Sequence, residues 1–337
     1  MLNFKNDYSV GAHPKALEAI AALNMEGKTG YGSDPYCERA AALIRDLCAA
    51  PEAAVHFFIG GTSANLTIIA AALRAWEAVI APTTGHINVH EGGAVEATGH
   101  KIIPVATADG KLRPADLEPV LSLHTDTAMV LPRLVYISNA TEIGTIYTKE
   151  ELSELSAFCK AHDLLLFLDG ARLGTGLTAQ NADLTMADLA RLTDAFYIGG
   201  TKNGALMGEA MVVTNPGLQP HFFRAMKQQG AVLAKGFLLG AQFEALLTDG
   251  LYWELARHAN VLAQKLQHGL TDKGYPMLIQ SPTNQIFPIL PNAVADTLDS
   301  FCRYEVWDKP DSTHTTVRFV TSFATTEQDV DDLLARL

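Results

Sequence analysis

The chain has 337 residues, 48% of them apolar and 18% charged, the balance of a compact globular protein with more than one typical domain's worth of length. A net charge of −12 excludes a general nucleic-acid binder, which needs clustered positive charge to displace counterions. The four cysteines, Cys37, Cys48, Cys159 and Cys302, show no metal-ligand spacing, which predicts buried thiols in a reducing compartment and no metal site.

The opening residues, MLNFKNDYSV, have no cationic region ahead of an apolar run, so no secretory leader is expected. Apolar stretches such as Leu164–Leu168 are too short to span a bilayer. A cytoplasmic protein without membrane or nucleic-acid partners is expected. The first 25 residues predict an arm and a helix that pack elsewhere. Apolar runs then predict strands at Val55–Ile59, Ala78–Ile80, Lys101–Val105, Met129–Ile137, Leu164–Leu168, Ala195–Ile198 and Glu209–Val213. Helical patterns lie between them at Ala64–Ala75, Pro114–Leu123, Lys149–His162 and Met186–Arg191. Several strands are continuously apolar, as in a sheet covered on both faces. Strand and helix in alternation predict an α/β fold with a mostly parallel sheet. Beyond Gly230 a long helical pattern runs from Ala231 toward Leu270, with a break near Asp249-Gly250. Short strands follow at Tyr275–Ile279, Gln285–Leu290, Arg303–Trp307 and Thr316–Val320, and a final helix at Thr326–Leu337. This texture predicts a smaller C-terminal α+β domain, so the division expected is 1–235 and 236–337.

Three segments carry candidate chemistry. Gly60-Gly61-Thr62-Ser63-Ala64-Asn65 follows a strand and opens a helix, where small residues with free N–H groups make an anion cradle; an ordinary tight turn is the alternative. Asp169 ends an apolar strand, at the sheet edge where α/β proteins bind ligands; an aspartate there also suits a helix cap. Lys202 lies among glycines in Gly199-Gly200-Thr201-Lys202-Asn203-Gly204, where a desolvated amine can condense with a carbonyl cofactor; a hairpin lysine is the alternative. In combination they supply anchors for the phosphate, ring nitrogen and aldehyde of pyridoxal 5'-phosphate. A nicotinamide oxidoreductase is disfavoured, because no GxGxxG opens any βαβ unit.

These segments belong to a wider set: Tyr31-Gly-Ser-Asp-Pro35, Gly61-Thr-Ser-Ala-Asn65, His86 with Glu91-Gly-Gly93, Asp169-Gly-Ala-Arg172, Thr201-Lys202 and Val317-Arg-Phe-Val-Thr321. Together they resemble the threonine aldolase and β-eliminating lyase group of fold-type I pyridoxal-phosphate enzymes, over essentially the whole chain. The resemblance implies a three-layer α/β/α large domain and a carbon–carbon lyase that cleaves β-hydroxy-α-amino acids to glycine and an aldehyde. The alternatives within that fold are a β-eliminating lyase, a racemase, an aminotransferase, or a cofactor-binding relative without turnover.

Residue by residue, the resemblance implies that Lys202 bonds the cofactor and Asp169 pairs with its ring nitrogen. Gly61, Thr62, Ser63 and Thr201 would hold the cofactor, and His86 would stack on the ring, with His90 as competitor. Arg172 and Arg318 would receive cofactor oxygen and substrate carboxylate. Asn6 stands where the group has a substrate-contacting serine. A homodimer or homotetramer with active sites between subunits is implied, with Tyr31 and Lys235 reaching a neighbour's cofactor. Two segments depart from the group. Thr141, in Asn139-Ala140-Thr141-Glu142, replaces a histidine that often meets the substrate hydroxyl, and Gly230–Lys235 replaces a glycine-rich basic stretch. The base for the β-hydroxyl is left between a histidine acting through water and Glu142.

Overall fold

The computed structural model describes residues 1–337. Its centre is a seven-stranded sheet in the order Ala54–Phe58, Glu209–Val213, Ala195–Gly199, Leu165–Asp169, Leu131–Ser138, Glu77–Pro82 and Lys101–Val105. Only Glu209–Val213 runs antiparallel to its neighbours, so the other six point the same way. All seven strands predicted from the apolar runs are present, with ends displaced by a few residues at most.

Alternation along each strand explains the layering. Ile80, Val135, Ile137, Leu166, Leu168, Phe196 and Val212 face one way. They pack with Ile44 and Cys48 of helix Pro35–Cys48 and with Leu152 and Leu155 of helix Lys149–Ala161. Val79, Leu134, Tyr136, Phe167, Tyr197 and Met211 face the other way, against Ala64 and Ile68 of helix Gly61–Ala72. Each large apolar side chain so buried contributes roughly 1.5–3 kcal/mol, and the result is an α/β/α sandwich.

A third core gathers Leu290, Val317, Phe319, Val330 and Leu333 with Phe4 from the start of the chain. Here a small antiparallel sheet joins Ile289–Pro291, His314–Val320 and Glu305–Asp308, with Gln285–Ile286 also on His314–Val320. Helix Leu251–Asp272 ties the cores together: Tyr252 and Leu255 belong to the first, Leu262, Leu266 and Leu270 to the third. The N-terminal arm is part of this layer, since Leu2–Asn3 pairs in parallel with Cys302–Arg303.

Two predicted features differ most. The long helix begins at Phe237, not Ala231, because the intervening backbone serves another segment: the Ala234 carbonyl accepts from the Tyr31 N–H at 3.0 Å. The expected break near Asp249-Gly250 is present, as a short 3₁₀ turn with both residues at positive φ. The strand expected at Tyr275–Ile279 reduces to one bridge between Met277 and Pro288. Helix Pro35–Cys48 was not anticipated, although Asp34 caps it, Pro35 opens it, and Cys37, Ala40, Ala41, Ile44 and Cys48 are its buried stripe. No helix is long and apolar enough to cross a membrane.

Candidate active site

Because six strands run in one direction, their C-terminal ends share one edge of the sheet, the edge where ligands bind in such folds. The segments leaving those ends deliver Gly60–Thr62, His86, Glu142, Asp169 and Lys202 to a common cavity of about 530 Å³. The antiparallel strand begins on the same edge, with Glu209 opposite Gly199. The C-terminal layer closes the far wall with Arg318, and the arm adds Tyr8.

Asp169 is the best-connected group. Its Oδ1 accepts from the Tyr197 hydroxyl (2.5 Å) and the Ala171 N–H (2.9 Å). Its Oδ2 accepts from the Tyr136 hydroxyl (2.7 Å) and the Asn65 amide (2.9 Å). Burial would raise its pKa, but the Tyr197 hydroxyl, the Ala171 N–H and the Asn65 amide outweigh burial and hold it below the ordinary carboxylate value. It is therefore an anion in the sheet interior, ready for a cation. Gly170 is obligatory beside it: a Cβ there would overlap the Tyr197 carbonyl oxygen.

The same Asn65 amide donates to Glu91 Oε1 at 2.8 Å, and that oxygen lies 2.7 Å from His86 Nδ1. A chain of contacts thus runs Asp169, Asn65, Glu91, His86. Glu91 fixes the His86 ring, and the His86 N–H donates to Glu142 Oε1 at 3.0 Å. His90 also lines the cavity but lies exposed, with its ring 5.6 Å from that of His86.

Lys202 leaves the strand Ala195–Gly199 through a turn held by two backbone donors on one carbonyl, Gly200 and Thr201 to Gly208 O, at 3.0 and 3.1 Å. A Cβ on Gly200 would stand 2.7 Å from that oxygen. Thr201 Oγ1 accepts from the Gly208 N–H at 3.0 Å, which completes the turn. Burial, and after it the Arg172 guanidinium, draws the Lys202 ammonium below its ordinary pKa and favours the nucleophilic amine. Glu209 lies close by, accepting from the Gly200 N–H at 3.0 Å, and burial pushes it up to about 8.

The cradle fits an anion. Helix Gly61–Ala72 has Gly60 at its N-cap and no side-chain cap, and the N–H groups of Gly61, Thr62 and Ser63 donate to no protein acceptor. Gly61 and Thr62 line the cavity. The Ser63 hydroxyl instead donates back to the Gly60 carbonyl at 2.8 Å, leaving only its N–H for a ligand. Free donors at a helix N-terminus, a buried carboxylate and a buried amine together match the three anchors of pyridoxal phosphate.

The arginines are in different states. Arg172 forms a two-pronged pair with Asp7, Nε to Oδ2 at 2.8 Å and Nη2 to Oδ1 at 3.0 Å. Arg318 stacks over Trp307 at 5.5 Å and its Nε has no partner. Asn6 turns its amide oxygen to Tyr8 N–H and the Ser9 hydroxyl and does not line the cavity; Asp7 is the residue of that dipeptide that engages the site. Tyr31 and Lys235 lie outside the cavity too. Tyr31 borders a separate hollow of about 260 Å³, with Lys227 over its ring at 4.6 Å, and Lys235 is exposed.

Asp7, Tyr136, Tyr197 and Glu209 are contributors that sequence patterns did not single out. The tyrosines carried a signal, since a hydroxyl inside an otherwise apolar strand needs a buried partner. Asp7 and Glu209 carried none beyond their charge.

A family model described as beta-eliminating lyase matches residues 4–292. The low specificity L-threonine aldolase of Pseudomonas aeruginosa is 32% identical over 287 residues, covering 84% of this chain and 83% of that protein. The enzyme of the same description from a Pseudomonas species is 33% identical over 290 residues, with the same coverage. A solved structure of Leishmania major threonine aldolase superposes with a TM-score of 0.98 at 48% identity, covering 99% of this chain and 98% of that one. Aspartate aminotransferase from Thermus thermophilus, at 17% identity and a TM-score of 0.73, shares the fold.

Proposed function

This chain belongs to the beta-eliminating lyase family, and we propose that it is a pyridoxal-phosphate-dependent carbon–carbon lyase cleaving β-hydroxy-α-amino acids of the threonine type to glycine and an aldehyde. The observation that carries this reading is the convergence of Gly61 and Thr62 of the cradle, Asp169 and Lys202 on one cavity, in a chain nearly superposable on a threonine aldolase.

Bound there, pyridoxal phosphate supplies an electron sink for the pair released from the Cα–Cβ bond. The chain's own residues would do the rest. The first-turn N–H groups of helix Gly61–Ala72 would bind the phosphate. Asp169, kept ionised by the Tyr197 hydroxyl, the Ala171 N–H and the Asn65 amide, would hold a proton on the ring nitrogen. Lys202, with its depressed pKa, would offer the neutral amine. His86, fixed through Nδ1 by Glu91, would lie against the ring face. Arg318, with an uncommitted Nε, would bind the substrate carboxylate and orient the bond to be broken. Arg172 keeps one nitrogen, Nη1, beyond its contacts with Asp7, and that nitrogen would reach a cofactor oxygen.

The active unit in this reading is a homo-oligomer in which Tyr31 and Lys235 face a neighbour's cofactor; both lie outside their own chain's cavity, as that role requires. The four buried free cysteines fit work in the cytoplasm. The test is product analysis: purified protein with pyridoxal phosphate should release glycine and an aldehyde in equal amounts from threonine-type substrates. Formation of a keto acid or of the enantiomer instead would point to another reaction of the same fold.

A further inference from the structure

Twenty residues line the cavity, and two of them keep a buried side-chain polar atom with no hydrogen-bond partner: Arg318 at Nε and Glu142 at Oε2. One is a cationic donor and the other an acidic acceptor. A buried polar atom without a partner costs about 1–3 kcal/mol, so two in one cavity wall point to groups a ligand completes. A β-hydroxy-α-amino acid carries the complements of both, a carboxylate and a hydroxyl.

Glu142 is held for such a task. Its Oε1 accepts from the His86 N–H at 3.0 Å and the Ser138 hydroxyl at 2.7 Å, which fixes the carboxyl beside the histidine expected against the ring. The neighbouring Thr141 is not available: it is fully buried, and its hydroxyl is engaged by Thr145 Oγ1 at 2.7 Å and the Thr145 N–H at 3.1 Å. The His86 ring already uses Nδ1 on Glu91.

We propose that Glu142 Oε2 is the base that takes the proton of the substrate's β-hydroxyl; the inference rests on the aldol-cleavage reading above. The O–H bond breaks, its proton passes to Oε2, and its electron pair becomes the second bond of the aldehyde carbonyl. The Cα–Cβ bond breaks, and its pair would pass to the electron sink that bound pyridoxal phosphate supplies. Cα later takes up a proton from solvent and Glu142 returns its own, so the cycle balances without oxidant or reductant. Burial raises the Glu142 pKa, Ser138 opposes it, and the Asp169 charge adds to it, which makes a stronger base than an exposed glutamate. Tyr136 on the preceding strand and Arg172 also face it, and Arg172 favours the ionised form.

Glu142→Gln tests this, because the amide oxygen can keep both Oε1 contacts while the basic oxygen is lost. Aldehyde release should fall about 10²–10⁴-fold. Exchange of the glycine Cα proton with D₂O, followed by NMR, breaks no carbon–carbon bond and needs no base at a hydroxyl; it should stay within about threefold of wild type, as should the visible cofactor band. Glu142→Asp should recover part of the aldehyde release and keep the acid limb of kcat/KM that the glutamine variant lacks. Aldehyde release within about tenfold of wild type in Glu142→Gln would overturn the proposal. So would parallel loss of glycine exchange, or no recovery in the aspartate variant, since either would make Glu142 only a brace for His86. Wild-type protein that neither binds cofactor nor exchanges glycine would overturn the aldolase reading itself.

Discussion

Replacing Asp7 with alanine removes both acceptors of the Arg172 fork and leaves a guanidinium uncompensated inside the protein. The pair's side chains are 11% and 1% exposed for Arg172 and Asp7, so solvent screens it little. Breaking a buried pair from one side costs about 3–5 kcal/mol. The third contact of Asp7, from the Asn284 amide at 3.0 Å, adds to the loss: one N–H of that buried amide still donates to the Thr321 carbonyl, but the other is left without an acceptor. Asn6→Ala, one position earlier, removes only local contacts to Tyr8 and Ser9 and should cost about 0.5 kcal/mol. Urea unfolding of the cofactor-free protein measures both. Arg172→Met in the Asp7→Ala background should recover most of the loss, since removing the second charge removes the burial penalty. The pH dependence has a definite sign. Burial would raise Asp7, but the Arg172 and Lys202 charges and the hydrogen bonds from Arg172 and Asn284 together outweigh it and lower the folded-state pKa. The stabilisation is therefore present above the ordinary aspartate pKa and is lost as pH falls through the folded value. Equal stability of the Asp7 and Asn6 variants, or no recovery with Arg172→Met, would refute the buried pair.

Other expectations follow from the same geometry. Burial raises Glu209 to about 8, so it weakens the folded state progressively as pH rises from the ordinary glutamate range toward that value. Glu209→Gln should flatten the fall in Tm between pH 5 and 8, and an unchanged slope would contradict the burial. Asn65→Ala should cost about 1–3 kcal/mol by cutting the link between Asp169 and Glu91, measurable by urea unfolding, and should loosen cofactor binding; wild-type affinity and stability would deny the link a role. Gly200→Ala forces a Cβ to 2.7 Å from the Gly208 carbonyl and should displace the Lys202 turn, lowering cofactor loading by more than tenfold in absorbance titrations.

Most of the scaffold was legible because the strands are buried on both faces. Leu165–Asp169 and Ala195–Gly199 read as uninterrupted apolar runs, and their C-terminal residues then had to meet at one edge. Asp169 and Lys202 stood out for that reason: each is a charged residue where an apolar strand stops. Helix Pro35–Cys48 is harder to see although its cap and stripe are plain, because its start overlaps the Tyr31–Pro35 motif. The choice of Asn6 over Asp7 shows a different limit. The arm joins the site by pairing with Cys302–Arg303 and by the contact of Asp7 with Arg172, partners about 165 to 300 positions away, and no local pattern encodes them. Glu142 lies between these cases: its position in the turn was visible, but its orphaned oxygen depends on His86 and Ser138 converging on the other one.

The most direct measurement is to reduce the cofactor-loaded protein with borohydride and map the label by peptide mass spectrometry. A single pyridoxyl group on the peptide carrying Lys202, absent after Lys202→Ala, is the predicted result. A label on Lys235 or another lysine, or none at all, would contradict the assignment of the cavity.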